Sequence, residues 1–152
     1  MAIGRLDETS EGLLLLTTDG KTSEFIRSSK VEKEYYAQVD GKITSEAIEQ
    51  LKKGVGISTE TGKYFTRNCI VKELIETPQL PERAKKIRDE RHGPTSWISI
   101  TLREGKFRQV RKMTAVVGFP TLRLVRVKIG NILLSEMQPG DVIKTNHLFD
   151  LR

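Results

Sequence analysis

The spacing of hydrophobic and polar residues predicts short strands alternating with short helices. The apolar run at residues 13–17 ends at Asp19-Gly20, which predicts a strand buried on both faces followed by a turn. Residues 22–27 predict a short helix that Thr22 caps. Residues 34–39 are rich in strand-forming side chains and predict the next strand. The first quarter of the chain therefore indicates a strand–helix–strand order.

A second helix is predicted behind Thr44 or Ser45, ending at Lys53-Gly54. Its apolar positions recur at helical spacing at Ala47, Ile48 and Leu51. Residues 54–76 alternate short β-rich pieces with glycine and threonine, which predicts a meander of antiparallel strands.

The pattern changes at residues 77–94, where three prolines bracket the charged run 82–91. That run has no apolar stripe able to anchor a helix, so it predicts an exposed loop. Three clear patterns follow: a strand at 97–102, a helix at 107–117 and an alternating strand at 122–129. Together the elements predict a mixed α+β fold whose sheet is mainly antiparallel and flanked by helices and loops.

Composition limits the class of protein. A chain of 152 residues with 37% hydrophobic residues can form one domain with a real core, so we expect a single domain over 1–152. The longest aliphatic run, at 13–16, is too short to span a membrane, and no secretory leader is recognisable. The single Cys69 excludes an intramolecular disulfide and a multi-cysteine zinc site, and two histidines leave little for metal binding. We therefore expect a cytoplasmic protein without a metal and without a membrane partner.

Positive charge is concentrated in one part of the chain. Residues 83–128 contain thirteen basic and three acidic residues, a net charge of +10, whereas the whole chain carries +6. Clustered lysine and arginine favour a partner made of phosphates, because they displace its condensed counterions. A solvated basic face without a partner is the alternative, and charge alone does not separate the two.

Two segments carry polar residues where packing alone would not require them. Residues 4–17 read GRLDETSEGLLLLT and place Arg5 and Asp7 just before the apolar run. Residues 103–113 read REGKFRQVRKM, where a glycine turn brings several cations to a predicted helix N-terminus. A carboxylate and an arginine from distant parts of the chain can then pair.

These segments closely resemble two signatures of the pseudouridine synthase superfamily, in the family of the RsuA-type ribosomal RNA enzymes. The signature G-R-L-D, a short polar spacer and E-G-L-L-L-L-T-x-D-G corresponds to residues 4–20, and E-G-x-x-R-Q-V-R-R/K-M to residues 104–113. Residues 33–41 resemble the strand that supplies an aromatic side chain to the pocket. Residues 94–97 and 117–124 look most like the E-type large-subunit branch of that family.

The resemblance implies a pseudouridine synthase catalytic domain that isomerises a uridine of large-subunit (23S) ribosomal RNA without a cofactor. It implies that Asp7 is the catalytic aspartate, Arg111 its basic partner and Tyr35 the pocket tyrosine. It further implies RNA-binding roles for Arg5, Val110, Lys106, Arg108 and Lys112. A carboxylate suits the breaking and remaking of a glycosidic bond, and an adjacent arginine keeps it ionised. A tyrosine ring can stack on a flipped base.

The sequence departs from the family pattern at its N-terminus. The family's catalytic domain usually begins with an earlier strand that bears a Lys-Pro-x-Gly-like motif, and an S4 RNA-binding domain commonly precedes that strand. Neither is recognisable here. We therefore expect a sheet without this N-terminal strand, with an exposed edge able to pair with a second copy.

Two other function classes remain open from the residues alone. A noncatalytic RNA-binding remnant of the family would keep the basic half of the chain without the chemistry. A carboxylate-based hydrolase would use Asp7 with Glu8 or Glu11, although adjacent residues on a strand point apart. Tyr35 and Tyr36 are adjacent on a strand, so one faces inward and the other outward.

Overall fold

The computed structural model describes residues 2–4, 6–81, 92–106 and 108–145. Within these ranges the chain forms eight strands and three helices. The strands are β1 (Glu11–Gly12), β2 (Lys33–Asp40), β3 (Gly56–Thr59), β4 (Gly62–Phe65), β5 (Ile70–Leu74), β6 (Thr95–Leu102), β7 (Thr121–Ile129) and β8 (Ile132–Leu133). The helices are α1 (Gly20–Arg27), α2 (Ser45–Lys53) and α3 (Gln109–Val116). None of the helices in these ranges is both long and apolar enough to cross a membrane.

The main sheet has β2 at its centre. Its strand order is β1-β7-β2-β6-β5, and β8 adds to β7 as a short hairpin. Every pairing is antiparallel except that of β1 with β7. This architecture confirms the predicted α+β fold with a mainly antiparallel sheet.

One face of the sheet packs on α2 and α3 to form the larger core. On β2, Ala37 and Val39 are fully buried on this face. Met113 of α3 and Leu51 of α2 reach the same cluster, as the helical spacing predicts. A smaller cluster gathers around Ile26 of α1 beside the N-terminal segment. The functional cavity described below is lined by residues from both clusters.

The helix predictions hold, with one change of cap. Helix α2 begins after Thr44, whose hydroxyl accepts from the Ala47 N–H, and ends at Lys53 with Gly54 as its C-cap. Helix α1, however, begins two residues earlier than predicted, at Gly20. Its cap is Asp19, which accepts from the Lys21 N–H at 3.2 Å and from the Thr22 hydroxyl at 2.7 Å. Asp19 is the better cap because its carboxylate binds both groups at once.

The prediction of a strand buried on both faces at residues 13–17 is wrong. Strand β1 covers only Glu11–Gly12, and Gly12 has a φ of 111°, which a continuing strand does not allow. An added Cβ on Gly12 would lie 2.2 Å from the Arg126 carbonyl oxygen, so the close approach to β7 requires glycine. Beyond it, Leu13 and Leu15 are buried, but Leu14 and Leu16 are 45% and 59% exposed. The run therefore has one buried side, and self-association through this edge stays a prediction.

The predicted meander divides between two sheets. Strands β3 and β4 form a separate hairpin, whereas β5 joins β6 in the main sheet. After β5 the chain runs to Pro81, whose carbonyl accepts a hydrogen bond from Arg123 of β7 at 2.6 Å. Arg123 also donates two 2.9 Å hydrogen bonds to the Glu11 carboxylate. The predicted exposed loop continues into 82–91, which lies outside the described residues.

Candidate active site

The signatures singled out in the sequence meet at one cavity of about 540 Å³. Its walls come from the segment before β1, the end of α1, the start of β2, the loop before α3 and β7. Asp7, Tyr35, Lys106, Arg108 and Val110 all line it. The fold thus brings five of the eight predicted site residues together, from both signatures and from the strand between them.

Asp7 lies in a tight turn that holds its carboxylate at the cavity wall. The Asp7 carbonyl accepts from the Ser10 N–H at 2.9 Å, and the side chain is only 17% exposed. Its Oδ2 lies 3.6 Å from Nη1 of Arg108, at the start of α3. A partly enclosed carboxylate facing a guanidinium can serve as a nucleophile or as a stabiliser of developing positive charge.

Arg108 reaches Asp7 from a strained backbone position. Its φ and ψ are 52° and 35°, in the left-handed region that non-glycine residues rarely occupy. Within the described ranges, Ser135 is the other non-glycine residue with a positive φ. Backbone strain of this kind concentrates at functional sites, where the surrounding structure enforces it.

Arg111 takes a different place from the one the family resemblance implies. Its Nη2 donates to the Thr9 carbonyl at 3.0 Å and to the Ser10 hydroxyl at 3.4 Å. Arg111 therefore holds the turn that carries Asp7, while Arg108 is the cation in contact with the carboxylate. The catalytic role of Arg111 stays a prediction, and the structure adds Arg108 as a second candidate for the partner of Asp7.

Tyr35 faces the cavity from the inward side of β2. Its register partners are Ile100 on β6 and Arg126 on β7. Tyr36 lies on the opposite face of the strand, and burial raises the pKa of its hydroxyl, as does the nearby Glu34 charge. Val110 is buried in the first turn of α3 and gives the cavity an apolar wall. The inward-facing tyrosine of the pair is thus Tyr35.

Of the other predicted RNA-binding cations, Lys106 and Lys112 differ in where they lie relative to the cavity. Lys106 lines the cavity and its ammonium lies 4.8 Å from the centre of the Tyr64 ring, a cation–π contact. Lys112 does not line the cavity, and its Nζ donates to the Ser58 carbonyl at 2.7 Å, which ties α3 to the hairpin β3–β4. Arg5 lies outside the described residues.

Glu104 is a site residue that sequence reasoning did not assign. Its carboxylate accepts from the Tyr64 hydroxyl, from the Arg67 N–H at 2.7 Å and from the Gln109 amide at 3.0 Å. Burial alone would raise the pKa of the Glu104 carboxyl, but these hydrogen bonds outweigh it and the pKa is lowered. The buried Gln109 also accepts from the Lys106 N–H at 3.0 Å. Only the position of Glu104 within the second signature could have indicated it.

The cavity is positively charged. Besides Arg108 and Lys106, three further cations line it, Arg27, Lys33 and Arg126, against the acids Asp7 and Glu104. Among the described residues, no cluster of three or more His, Cys, Asp or Glu side chains is arranged to hold a metal ion. The arrangement offers one carboxylate beside a guanidinium, an aromatic ring and a basic surround, which suits a nucleotide ligand.

The RNA pseudouridylate synthase model matches residues 1–116, and the chain belongs to that family. Among its relatives, the ribosomal large subunit pseudouridine synthase E of Vibrio parahaemolyticus is 45% identical over 141 residues, 91% of this chain and 57% of that protein. The protein of the same name from Xanthomonas axonopodis pv. citri is 42% identical over 91% of this chain and 72% of its own length. The chain thus spans between about half and three quarters of these relatives.

A solved structure confirms the fold independently. A crystal structure described as a pseudouridylate synthase superposes with a TM-score of 0.68 at 28% identity, over 89% of this chain and 50% of that one. The family and fold predicted from the two signatures are therefore confirmed.

Proposed function

We propose that this protein converts a uridine of large-subunit ribosomal RNA to pseudouridine. The observation that carries the proposal is the partly buried Asp7 carboxylate beside Arg108, in a cavity that also presents Tyr35. Family membership supports the reaction, and the names of the relatives support the large subunit as the source of the RNA. Substrate and protein would meet in the cytoplasm.

The residues can be given roles in the isomerisation. The bond between ribose C1′ and uracil N1 breaks, and C1′ bonds to C5 instead. The hydrogen on C5 leaves as a proton and N1 gains one, so atoms balance without a co-reactant. Asp7 supplies the nucleophilic or charge-stabilising carboxylate, and Arg108 is the cation that faces it. Tyr35 stacks on the uracil, and the apolar wall at Val110 helps to retain the base after it detaches.

The test is replacement of Asp7 by an uncharged side chain of the same shape. Asp7→Asn should lower tritium release from rRNA containing 5-tritiated uridine by roughly 10³-fold or more, because the nucleophile is lost. RNA affinity and the melting temperature should change little. Glu8→Gln is the matched control, because Glu8 is an exposed carboxylate on the same turn. Transcripts of the large- and small-subunit rRNA, assayed in parallel, test the choice of subunit.

The outcomes separate the candidate functions. If Asp7→Asn released tritium as fast as the parent, the role assigned to Asp7 would be wrong. If the parent bound rRNA without releasing tritium, the noncatalytic RNA-binding alternative would replace the enzyme. A hydrolase using Asp7 with Glu11 is disfavoured, because Arg123 already binds both Glu11 carboxylate oxygens.

A further inference from the structure

Three cations line the cavity in addition to those of the second signature. Lys33 begins β2, Arg27 lies in the last turn of α1, and Arg126 belongs to β7. They come from three separate elements, so their convergence is a product of the fold. None of them was assigned a role by the sequence signatures or by the proposed chemistry.

Lys33 and Arg126 flank Tyr35 in two directions. Lys33 precedes Tyr35 by two residues on the same face of β2, about 7 Å along the strand. Arg126 is the register partner of Tyr35 on the neighbouring strand β7. A nucleotide whose base stacks on Tyr35 therefore has Lys33 beside it along the strand. Across the strand, the Arg126 guanidinium donates to the Leu13 carbonyl at 2.9 and 2.7 Å and adds its positive charge to the cavity.

The Lys33 ammonium has hydrogen-bonding capacity that the protein does not use. It donates to the Ile26 carbonyl at 2.6 Å, which leaves two of its three N–H donors for a ligand. Within the described residues it forms no ion pair with a carboxylate. Burial lowers the pKa of Lys33 to about 8, and the nearby Arg126 charge contributes in the same direction. Such a cation is costly to the folded protein until an anion approaches it.

We propose that Lys33, with Arg126 and Arg27 beside it, forms a phosphate subsite for the nucleotide whose base stacks on Tyr35. The subsite rests on the proposed function, because that function brings a nucleotide into the cavity. A phosphate satisfies the unused ammonium donors and the excess positive charge together. The alternative is that Lys33 only caps the C-terminal end of α1, through the Ile26 carbonyl. A cap uses one donor and does not explain why the side chain lines the cavity with two further cations.

Nucleosides and nucleotides distinguish a phosphate subsite from a cap. Uridine, uridine 5′-monophosphate and uridine 3′-monophosphate are titrated into the parent and into Lys33→Gln, Lys33→Arg and Ser28→Ala. The Ser28 hydroxyl donates to the Phe25 carbonyl at 2.5 Å, so Ser28→Ala loosens the same helix end without changing the cavity charge. The parent should bind at least one monophosphate roughly tenfold more tightly than uridine. Lys33→Gln should abolish that preference while leaving uridine affinity unchanged, and Lys33→Arg and Ser28→Ala should keep it.

Three results would overturn the subsite. The first is a parent protein that binds both monophosphates no better than uridine. The others are a Lys33→Gln variant that keeps the preference for a monophosphate, and a Ser28→Ala variant that loses this preference as fully as Lys33→Gln does. If Lys33→Gln does not fold, the parent still decides, because the Lys33 ammonium resonance should shift with a monophosphate and not with uridine. Tritium release from rRNA is measured separately. A parent that is active without a phosphate preference refutes the subsite alone, and an inactive parent refutes the proposed function alone.

Discussion

At the scale of single residues, Arg108 combines backbone strain with a contact to the proposed catalytic carboxylate. Its side chain contacts Asp7 while its backbone is left-handed, a conformation that costs a non-glycine residue about 1–2 kcal/mol. The family resemblance implies Arg111 as the basic partner of Asp7, whereas Arg108 is the arginine at ion-pair distance from the carboxylate. Arg111 lies within α3, whereas Arg108 is the residue that precedes the helix as its N-cap. The left-handed backbone at residue 108, which no sequence signal indicates, accompanies this contact.

The strain at residue 108 predicts an unusual order of stability. Arg108→Gly should unfold with a free energy roughly 0.5–1 kcal/mol higher than Arg108→Ala, because glycine relieves more strain than its chain entropy costs. Urea unfolding measures the difference. The exposed α3 position Ala115 is the control, since Ala115→Gly should destabilise the protein by about 1 kcal/mol. Both Arg108 variants should lose tritium release equally. A less stable Arg108→Gly would show that the parent backbone is unstrained.

At the scale of elements, Glu104 joins the hairpin β3–β4 to the loop that carries Lys106 and Arg108. It accepts from Tyr64 on β4 and from Gln109 in α3, and Lys106 packs on the Tyr64 ring. The hairpin adds no strand to the main sheet, and this network together with the Lys112 bond to Ser58 holds it beside α3. We interpret Glu104 as a positioning residue for the cations of the cavity.

This network predicts a stability effect that depends on pH. The pKa of Glu104 is lowered in the folded protein from its ordinary value of 4.5, so its ionised form stabilises the fold. That contribution is fully present above pH 4.5 and is lost as the pH falls through the lowered pKa. Glu104→Gln should therefore unfold more easily than the parent at pH 7, by about 1–2 kcal/mol, and the difference should shrink in acid. Urea unfolding between pH 3 and 7 measures it. A difference that is constant across that range would contradict the role of the charge.

The elements that the sequence predicted well are those whose signals are local. The cap at Thr44, the glycine at Gly54 and the strand-forming residues of β6 and β7 are local signals, and the cap, the helix stop and both strands are observed. The predicted alternation is not, because residues 97–100 of β6 and 124–126 of β7 are consecutively buried. The failures depend on distant contacts. Strand β1 ends at Gly12, where φ is positive and the backbone lies close to that of Arg126 in β7. The apolar run that follows Gly12 therefore does not continue the strand. The separation of the hairpin β3–β4 from β5 likewise depends on tertiary pairing that spacing does not encode.

At the scale of the whole molecule, the basic region and the cavity are connected. Pro81, the residue before the run 82–91, is held by Arg123, which also binds Glu11 in the segment that follows Asp7. Lys106 and Arg108 of the same basic region line the cavity itself. Part of the basic region 83–128, whose net charge is +10, therefore lines the cavity and joins that region to the site. This continuity favours an RNA footprint over a solvated basic face.

The footprint predicts a specific change in salt dependence. Replacing Lys85, Lys86 and Arg88 with alanine should weaken binding to large-subunit rRNA, because fewer counterions are released. The slope of log affinity against log salt should fall by roughly 0.7–0.9 for each phosphate that the variant no longer neutralises. The control triple variant replaces the exposed Lys21, Lys42 and Lys53, which lie outside the basic region, and should leave the slope unchanged. Filter binding between 50 and 300 mM salt measures both slopes, and melts check folding. Equal salt slopes for the two triple variants would place residues 82–91 outside the RNA footprint. If the Lys85, Lys86 and Arg88 variant still released tritium at saturating RNA, these three residues would only position the substrate.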